Sequence, residues 1–511
     1  MSFRSILFKQ VERLPKEEYL VPPPFFVDLN LDQVVESITA GKNEYNLKPF
    51  FYVPLNDIDE IEYRHEIFRD LENEKLLEII KSFARSFQKK RDHLATANKL
   101  YYKLQKEAWF LDAVDIYCKA LLDLAQGLSH LDLKSRGFLG FREYLANYVS
   151  STSFDQLLSE TEQIKSNLST VKYTLFIAEN TIKVGKYEPQ RDYSEEVNRT
   201  FEKFKQGAVK NYLVDFPNRM SMNHIEERIL EIVTSLYPEI FSRLDHYFTQ
   251  NENYLDPIIA AFDREVQFYI ASIEYVERFT QTGLKFCYPK ISDSSKEVFD
   301  YEGFDLALAH QFLVGDSSVV CNDFHLEGKE RILVISGPNQ GGKTTFARTF
   351  GQLHYMACLG CLVPGRKAQL FLFDKLFTHF ENEENIKNLR GKLQDDLVRI
   401  YEILREATPN SIIIMNEIFT STTLKDAIYL SKKIMERIVE LDLLCVCVTF
   451  LDEISKFGET TVSMVSTVAP ENPALRTYKI VRKPADGISH AISIVEKYHL
   501  TFDNLQERLN L

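Results

Sequence analysis

The stretch ILVISGPNQGGKTTFARTFGQLHYMAC, residues 332–358, predicts a buried strand, a glycine-rich loop and a helix in direct succession. Its apolar run at residues 332–335 is typical of a strand inside a sheet, and residues 345–358 have helical periodicity. Between them lies the spacing G-x-x-x-x-G-K-T, which is specific when it joins a strand to a helix. The residues predicted to bind a cofactor are Gly337, Pro338, Asn339, Gly341, Gly342, Lys343, Thr344 and Thr345.

Each part of this loop suits a phosphate group. Glycines leave room for backbone N–H groups to curl around phosphate oxygens, and a helix start adds partial positive charge. Lys343 can reach the β- and γ-phosphates, and the Thr344 hydroxyl can bind Mg²⁺. We therefore predict a site for ATP and Mg²⁺ with Lys343 as a catalytic residue. The alternative is an ordinary glycine turn that carries a surface lysine.

A carboxylate follows a later apolar strand. The run SIIIM at residues 411–415 is followed directly by Asn416 and Glu417. Glu417 is predicted to be catalytic, because a carboxylate at a strand end beside the loop can orient or deprotonate the attacking water. Asn416 is predicted to bind the metal, but its neutral amide suits Mg²⁺ less well than a carboxylate, so slow turnover is expected. The alternative for Glu417 is a solvated residue at a strand end.

The composition limits the classes of protein. At 511 residues with 45% hydrophobic residues, the chain is long enough for two or three packed domains. A net charge of −13 argues against a basic coat for nucleic acid, so any DNA contact needs a local basic patch. The sequence has no apolar run long enough for a membrane span, no apparent secretory signal, and seven cysteines that fit free thiols. These features predict a cytoplasmic protein with no membrane partner.

Cys358 and Cys361 have the C-x-x-C spacing of zinc and redox sites. The sequence has no second pair with metal-binding spacing, since Cys445 and Cys447 alternate along an apolar strand. Packing at the end of a helix is the interpretation we favour, and metal or redox chemistry is the alternative.

The chain is predicted to have three parts. Residues 1–60 are mixed and interrupted by proline, residues 61–305 are mainly helical, and residues 306–511 alternate strands and helices. The fold class is therefore multidomain, with a mainly α-helical domain followed by an α/β nucleotide-binding domain. A polar insert near 180–222 predicts a solvated hairpin, and a tip that contacts nucleic acid is the alternative.

Several motifs resemble the ATPases of the MutS mismatch-repair family. GPNQGGKTT at 337–345 is similar to that family's phosphate loop, G-P-N-x-G-G-K-S/T-T, and MNEI at 415–418 is similar to its M-D-E-I segment. The other similar segments are NDF at 322–324, MACLGCLVP at 356–364, DKLFT at 374–378 and FYVPL at 51–55. The likeness is firm over residues 315–495 and thinner over residues 45–283.

The resemblance implies a helical core or lever domain at 61–305, with a shortened clamp-like insert near 180–222. It implies a C-terminal P-loop ATPase domain of the ABC type at 306–511, and a homodimer in which ATP drives a conformational change. DNA is the implied partner, in mismatch repair or recombination. Recognition of DNA structure rather than of a mismatch is expected, because the core-like segment begins too early for the family's mismatch-reading and connector domains.

Three departures from the family pattern favour an alternative. Asn416 stands where the family has aspartate, Phe450 stands where it has histidine after Thr449, and residues 390–396 match its G-R-S-T-F segment poorly. The alternative is a nucleotide-gated scaffold with vestigial hydrolysis and a protein partner. A chromosome-organising ATPase is a third interpretation, although the sequence has no long heptad run.

Overall fold

The computed structural model describes residues 3–9, 21–179, 181–188, 193–202, 222–313, 318–380 and 391–485. Its α-helices, in chain order, are α1 Phe25–Asp28, α2 Leu31–Thr39, α3 Lys48–Tyr52, α4 Ile58–Leu71, α5 Glu74–Lys99, α6 Lys103–Ser129, α7 Arg136–Val149, α8 Thr152–Ser169, α9 Tyr193–Glu202, α10 His224–Leu236, α11 Pro238–Gln250, α12 Pro257–Thr280, α13 Leu306–Phe312, α14 Lys343–Cys358, α15 Lys392–Glu406 and α16 Leu424–Leu441.

Within the residues that the structure describes, the strands form four separate sheets. In chain order they are β1 Tyr173–Ala178, β2 Thr181–Lys186, β3 Phe286–Cys287, β4 Lys290–Ser292, β5 Val298–Gly303, β6 Asn322–Leu326, β7 Ile332–Ser336, β8 Val363–Pro364, β9 Lys367–Phe371, β10 Leu376–His379, β11 Ile412–Asn416, β12 Leu444–Val448, β13 Thr461–Ala469 and β14 Asn472–Arg482.

The chain folds into two compact units. The first comprises Met1–Ser2, Asn73–Asp132 and Gly140–Asp263, and the second comprises Phe3–Glu72, Leu133–Leu139 and Arg264–Leu511. The prediction of a multidomain chain with a helical part and an α/β part is confirmed. The boundaries at residues 60 and 305 stay a prediction.

The first unit is mainly helical. Apolar residues of α5 recur at helical spacing and are buried, among them Leu76, Ile80 and Phe87. Helix α10 begins with a capping box, in which the Asn223 side chain accepts hydrogen bonds from backbone N–H groups of the first turn and Glu226 reaches back. Such caps satisfy N–H groups that have no partner within the helix.

One antiparallel hairpin, β1 with β2, belongs to the same unit. Tyr173 pairs with Lys186 at its base, and Ala178 pairs with Thr181 beside its turn. The hairpin overlaps the start of the insert predicted near 180–222. Residues 180, 189–192 and 203–221 of that insert lie outside the described residues.

The second unit is built around a six-stranded sheet with the order β10-β11-β12-β7-β13-β14. The first five strands in this order, from β10 through β7 to β13, all run parallel. Strand β14 pairs antiparallel with β13 at the edge of the sheet. Strands β7 and β12 are buried along their whole length, which accounts for their uninterrupted apolar sequence. In a parallel arrangement the carboxyl ends of neighbouring strands meet at one edge, where binding residues collect.

Early residues of the chain pack on α14, far along the sequence. The Gln352 side chain donates to the backbone oxygen of Leu29 at 2.8 Å, and the Tyr355 hydroxyl donates to the oxygen of Phe51 at 2.8 Å. The second unit also contains the small sheets β4-β9-β5-β6 and β3-β8. Among the helices that the structure describes, none is long and apolar enough to span a bilayer.

Candidate functional site

The glycine-rich loop joins the carboxyl end of β7 to the start of α14. Helix α14 begins at Lys343, two residues before the start expected from periodicity. Gly337 and Gly342 have φ values of 119° and 87°, in the left-handed region where a side chain is strained. The backbone therefore requires glycine at both positions, as the motif predicts.

The loop packs closely on β13. The Ser466 hydroxyl donates a hydrogen bond of 2.6 Å to the backbone oxygen of Gly341. A Cβ atom on Gly337 would lie 2.9 Å from the Ser466 backbone oxygen, and one on Gly341 would lie 2.9 Å from the Pro338 oxygen. Both glycines thus permit a close approach as well as an unusual backbone shape.

Lys343 directs its ammonium group back over the loop. Only 4% of its side chain is exposed, and Nζ donates to the backbone oxygens of Gly337 and Pro338 at 3.1 Å each. Asn339 Oδ1 accepts a third, longer bond of 3.4 Å. Burial lowers the pKa of Lys343, and the Glu417 carboxylate opposes that shift. The lysine is thus a buried cation held at the loop by oxygen acceptors.

Thr344 and Asn416 meet at the other side of the loop. The Thr344 hydroxyl donates to the Asn416 amide oxygen at 2.9 Å, although the two residues lie 72 positions apart in sequence. Asn416 ends β11, so the sheet brings it to the start of α14. Two neutral oxygens side by side suit a hard cation such as Mg²⁺ when phosphate and water oxygens complete its shell. In the described part of the chain, no group of three or more His, Cys, Asp or Glu residues is arranged to hold a metal.

Glu417 follows in a left-handed backbone conformation, with φ of 55°. Its N–H donates to the oxygen of Val448 at 2.9 Å, which anchors the turn to β12. Its carboxylate is partly exposed and lies 4.0 Å from the Lys343 ammonium. A non-glycine residue in this region of backbone space is strained, and such strain is common at functional sites.

Phe450 stands where β12 has just ended. The N–H of the preceding Thr449 donates to the oxygen of Ile335 at 3.0 Å, which fixes the chain beside β7. The centre of the Phe450 ring lies 4.5 Å from Lys343 Nζ, within the range of a cation–π interaction. The sequence shows an apolar side chain at this position, but it did not predict that the ring contacts the lysine.

A cavity of about 890 Å³ opens beside the loop. The predicted site residues that line it are Asn339, Gly341, Gly342, Lys343, Thr344, Thr345 and Glu417. Gly337, Pro338 and Asn416 lie behind this wall and contact the lining residues instead. The structure therefore brings the predicted residues of two separate segments together.

The other part of the cavity wall was not predicted. Its apolar residues include Phe304, Leu308, Phe312, Val320 and Phe346, and Tyr478 of β14 lies next to Gly342. Phe346 directly follows the predicted loop, but no local motif marks the others, because they come from distant segments. The one available signal was NDF at 322–324, whose first residue also lines the cavity.

Asn322 shows how that segment contributes. Its Nδ2 donates to the Tyr478 oxygen at 3.1 Å, and its Oδ1 accepts from the Ile480 N–H at 2.7 Å. The amide is thus engaged with β14, and it holds Tyr478 at the cavity in a left-handed conformation with φ of 58°. Asn322 positions the wall rather than offering free polar atoms to a ligand.

The cysteines bear on the alternative of metal or redox chemistry at the C-x-x-C pair. All seven are free thiols. Burial raises the pKa of Cys358 and of Cys361 to about 12, so neither forms a thiolate readily. Their place at the end of α14 agrees with a packing role. Of the segment 390–396, residue 390 lies outside the described residues and Gly391 precedes α15.

Comparison with known proteins links this site to one family. Residues 333–501 match MutS domain V. The chain is 32% identical to the DNA mismatch repair protein MSH3 of Eremothecium gossypii over 139 residues, which are 27% of this chain and 13% of that protein. It is 31% identical to the endonuclease MutS2 of Thermus thermophilus over 201 residues, 39% of this chain and 27% of that protein.

A bacterial mismatch repair protein gives a similar match. The chain is 31% identical to MutS of Caldicellulosiruptor saccharolyticus over 129 residues, 25% of this chain and 15% of that protein. The chain thus matches between 13% and 27% of the length of these three relatives. The region matched by domain V contains the glycine-rich loop, Asn416 and Glu417. Over residues 333–501 this chain is therefore similar to domain V of the MutS family.

Proposed function

We propose that this protein is a MutS-like ATPase that binds ATP with Mg²⁺ at the loop 337–344 and hydrolyses it slowly. Its residues 306–511 would form a P-loop ATPase domain of the ABC type. Nucleotide would drive a conformational change of a homodimer that acts on DNA, in mismatch repair or recombination, and recognises DNA structure. The observation that carries this proposal is the meeting of Lys343, Thr344 and Glu417 at one cavity.

The cavity has room for a nucleoside triphosphate. Its volume lies within the range of about 300–1,000 Å³ that is usual for ligand sites. The loop with its adjacent helix start suits the phosphates, because N–H groups and the helix dipole both favour negative charge. The apolar part, with Phe304 and Phe346, suits a planar base. One ligand with a charged end and an apolar end fits this division.

The residues of the site have separate roles in this proposal. The Lys343 ammonium exchanges carbonyl acceptors for phosphate oxygens and neutralises charge that develops on the transferred phosphoryl group. Glu417 accepts the proton of the attacking water or orients that water. Thr344 and Asn416 would hold Mg²⁺, which offsets phosphate charge. The neutral Asn416 amide accounts for slow turnover, since it binds Mg²⁺ more weakly than a carboxylate.

DNA and a second copy are proposed as partners. The relatives' names, DNA mismatch repair protein and endonuclease, support a nucleic-acid partner. A second copy would close partly exposed groups such as Glu417 away from water, as symmetric assemblies often do. The free thiols of all seven cysteines support a reducing compartment, and we place the protein in the cytoplasm.

A nucleotide-gated scaffold is the second candidate. Two observations favour it: the neutral Asn416 amide at the predicted metal position, and the apolar Phe450 ring beside the lysine. In this alternative the nucleotide sets the conformation, hydrolysis is vestigial, and the partner is another protein. The two candidates differ in turnover and in partner, but not in nucleotide binding.

Nucleotide binding and turnover of Lys343→Ala and Glu417→Ala test the proposal. Lys343→Ala should abolish or severely weaken binding of a fluorescent ATP analogue, because the phosphates lose a buried cation. Glu417→Ala should retain binding and lose hydrolysis by roughly 100-fold or more. Lys329→Ala, at a lysine whose side chain is 84% exposed, serves as the matched control and should change neither quantity.

Each outcome separates the candidates. Unchanged affinity in Lys343→Ala would exclude the loop as the phosphate site and overturn both. If the unsubstituted protein binds ATP with no detectable turnover, and Glu417→Ala changes nothing, the scaffold replaces the ATPase.

A further inference from the structure

We propose that Phe450 is a positioning residue for Lys343, with its ring holding the ammonium group in place at the glycine-rich loop. This role rests on the proposed nucleotide site for its functional consequence, but not for the contact itself. The geometry carries it: the ring centre lies 4.5 Å from Nζ, and the lysine side chain is only 4% exposed.

The backbone fixes the ring where the contact forms. Thr449 is bonded on both sides, since its N–H donates to Ile335 and its hydroxyl accepts from the N–H of Leu451 at 3.1 Å. Phe450 lies between these two anchors. The residue is nevertheless 48% exposed, which is unusual for a phenylalanine that has a packing role alone.

The ring and the loop hold the ammonium in different ways. Gly337, Pro338 and Asn339 provide oxygen acceptors, all from the loop itself. The Phe450 ring provides electron density from the segment after β12 and accepts no conventional hydrogen bond. A phosphate can therefore replace oxygen acceptors while the ring contact persists. Nearby charges act in opposite directions, with the Glu417 carboxylate attracting the ammonium and Arg476 repelling it.

A phenylalanine at this position can thus align the lysine but cannot assist hydrolysis. It cannot orient a water molecule, because it has no polar atom. It can keep a long, flexible side chain aligned before a ligand arrives, which lowers the entropy lost on binding. The inferred result is a site with firm nucleotide binding and little help for hydrolysis.

Three substitutions distinguish the effect of the aromatic ring on nucleotide affinity from the effect of apolar side-chain volume. Phe450→Leu keeps an apolar side chain and removes the cation–π contact, so affinity for a fluorescent ATP analogue should fall roughly 3- to 30-fold. Phe450→Tyr keeps the ring and should remain close to the unsubstituted protein. Tyr429→Leu, at an aromatic residue of α16 that is 61% exposed, is the control and should have no effect on affinity.

A measurement without nucleotide tests the contact directly. Phe450→Leu should lower the thermal unfolding midpoint when Lys343 is present, and much less in the background of Lys343→Met, which is neutral and similar in shape. Equal losses in both backgrounds would overturn the proposal. It would be overturned as well if leucine and tyrosine gave the same nucleotide affinity, or if leucine raised it.

The two readouts keep separate failures apart. If the unsubstituted protein binds no nucleotide, the proposed function fails, yet the unfolding cycle still decides whether the ring and the ammonium are coupled. If nucleotide binds but the unfolding cycle shows no coupling, the proposed nucleotide site is retained and the positioning role of Phe450 is excluded.

Discussion

Glu265 on α12 is a buried carboxyl that ties down an early part of the chain. Its two oxygens accept hydrogen bonds from the Ser5 hydroxyl at 2.8 Å and from the Ile6 N–H at 2.9 Å. Only 2% of the residue is exposed. Burial raises the pKa of Glu265 from 4.5 to about 7, and these hydrogen bonds only partly oppose the shift.

This shift predicts a pH dependence of stability. Because the folded pKa lies above the unfolded one, the protonated Glu265 stabilises the fold fully below pH 4.5, and this contribution is lost as pH rises to about 7. The loss amounts to about 3 kcal/mol. Glu265→Gln should reduce the fall in unfolding free energy across that window, measured by denaturant titration at several pH values.

The exposed Glu459→Gln provides the matched control and should leave the pH slope intact. Part of the slope should survive in Glu265→Gln, since burial also raises the pKa of Asp300 to about 8. An unchanged slope would mean that Glu265 does not titrate in this window.

Single residues of the site differ in how far the sequence could predict them. Lys343 and Thr344 follow one another in a motif, so their spacing already places them at a loop and a helix start. Tyr478 could not be predicted, because it reaches the cavity through the pairing of Asn322 with β14. The contact of Phe450 with Lys343 also needed the register of β7 against β12.

At the scale of elements, the glycine-rich loop and β13 form one packed unit. Ser466 lies under the loop, bonded to the Gly341 oxygen, and β13 runs parallel to β7 directly beside it. The loop therefore has little freedom to accept a larger residue. Because the phosphate-binding N–H groups belong to the same backbone, a displaced loop would also lose its ligand geometry.

Gly341→Ala is the substitution that tests this packing. The added methyl would lie 2.9 Å from the Pro338 oxygen, a backbone atom that cannot rotate away. We expect nucleotide affinity to fall at least tenfold and the protein to lose about 1–3 kcal/mol of stability. Calorimetric titration and thermal unfolding provide the two measurements.

Gly391→Ala is its natural control, since a Cβ atom there meets nothing within 4 Å. It should bind nucleotide normally. Wild-type affinity in Gly341→Ala would show that the loop can shift without losing its ligand.

Some strands could be predicted from the sequence and others could not, because their burial and length differ. Strands β7, β11 and β12 of the large sheet are buried over almost their whole length and so have continuous apolar sequences. Strands β3 and β4 have two and three residues, too few for any periodicity, and they lie within the residues 61–305 that were predicted to be mainly helical. The hairpin β1–β2 exposes apolar residues such as Phe176 and Ile177, so its pattern does not separate an inner from an outer face.

At the scale of the whole molecule, electrostatics bears on the proposed partner. The net charge of −13 opposes an approach to DNA, so binding must depend on a local set of cations. We expect DNA affinity to fall steeply between about 50 and 200 mM salt, and to change when ATP is added. Fluorescence anisotropy with duplex, single-stranded and branched DNA measures both effects.

Lys343→Ala is the control here, because it should keep the salt dependence and lose the response to ATP. A flat salt curve, or no binding at low salt, would remove DNA from the proposed function and favour a protein partner.

During biosynthesis, residues 25–55 are made long before α14, the helix on which they pack. Leu29 and Phe51 leave the ribosome about 300 residues before their partners Gln352 and Tyr355. At about 5–20 residues per second, they wait roughly 15–60 s for a surface to cover them. During that interval rings such as Phe26, which is only 1% exposed in the folded chain, lie uncovered, so we expect the nascent chain to be prone to aggregation until α14 has been synthesised.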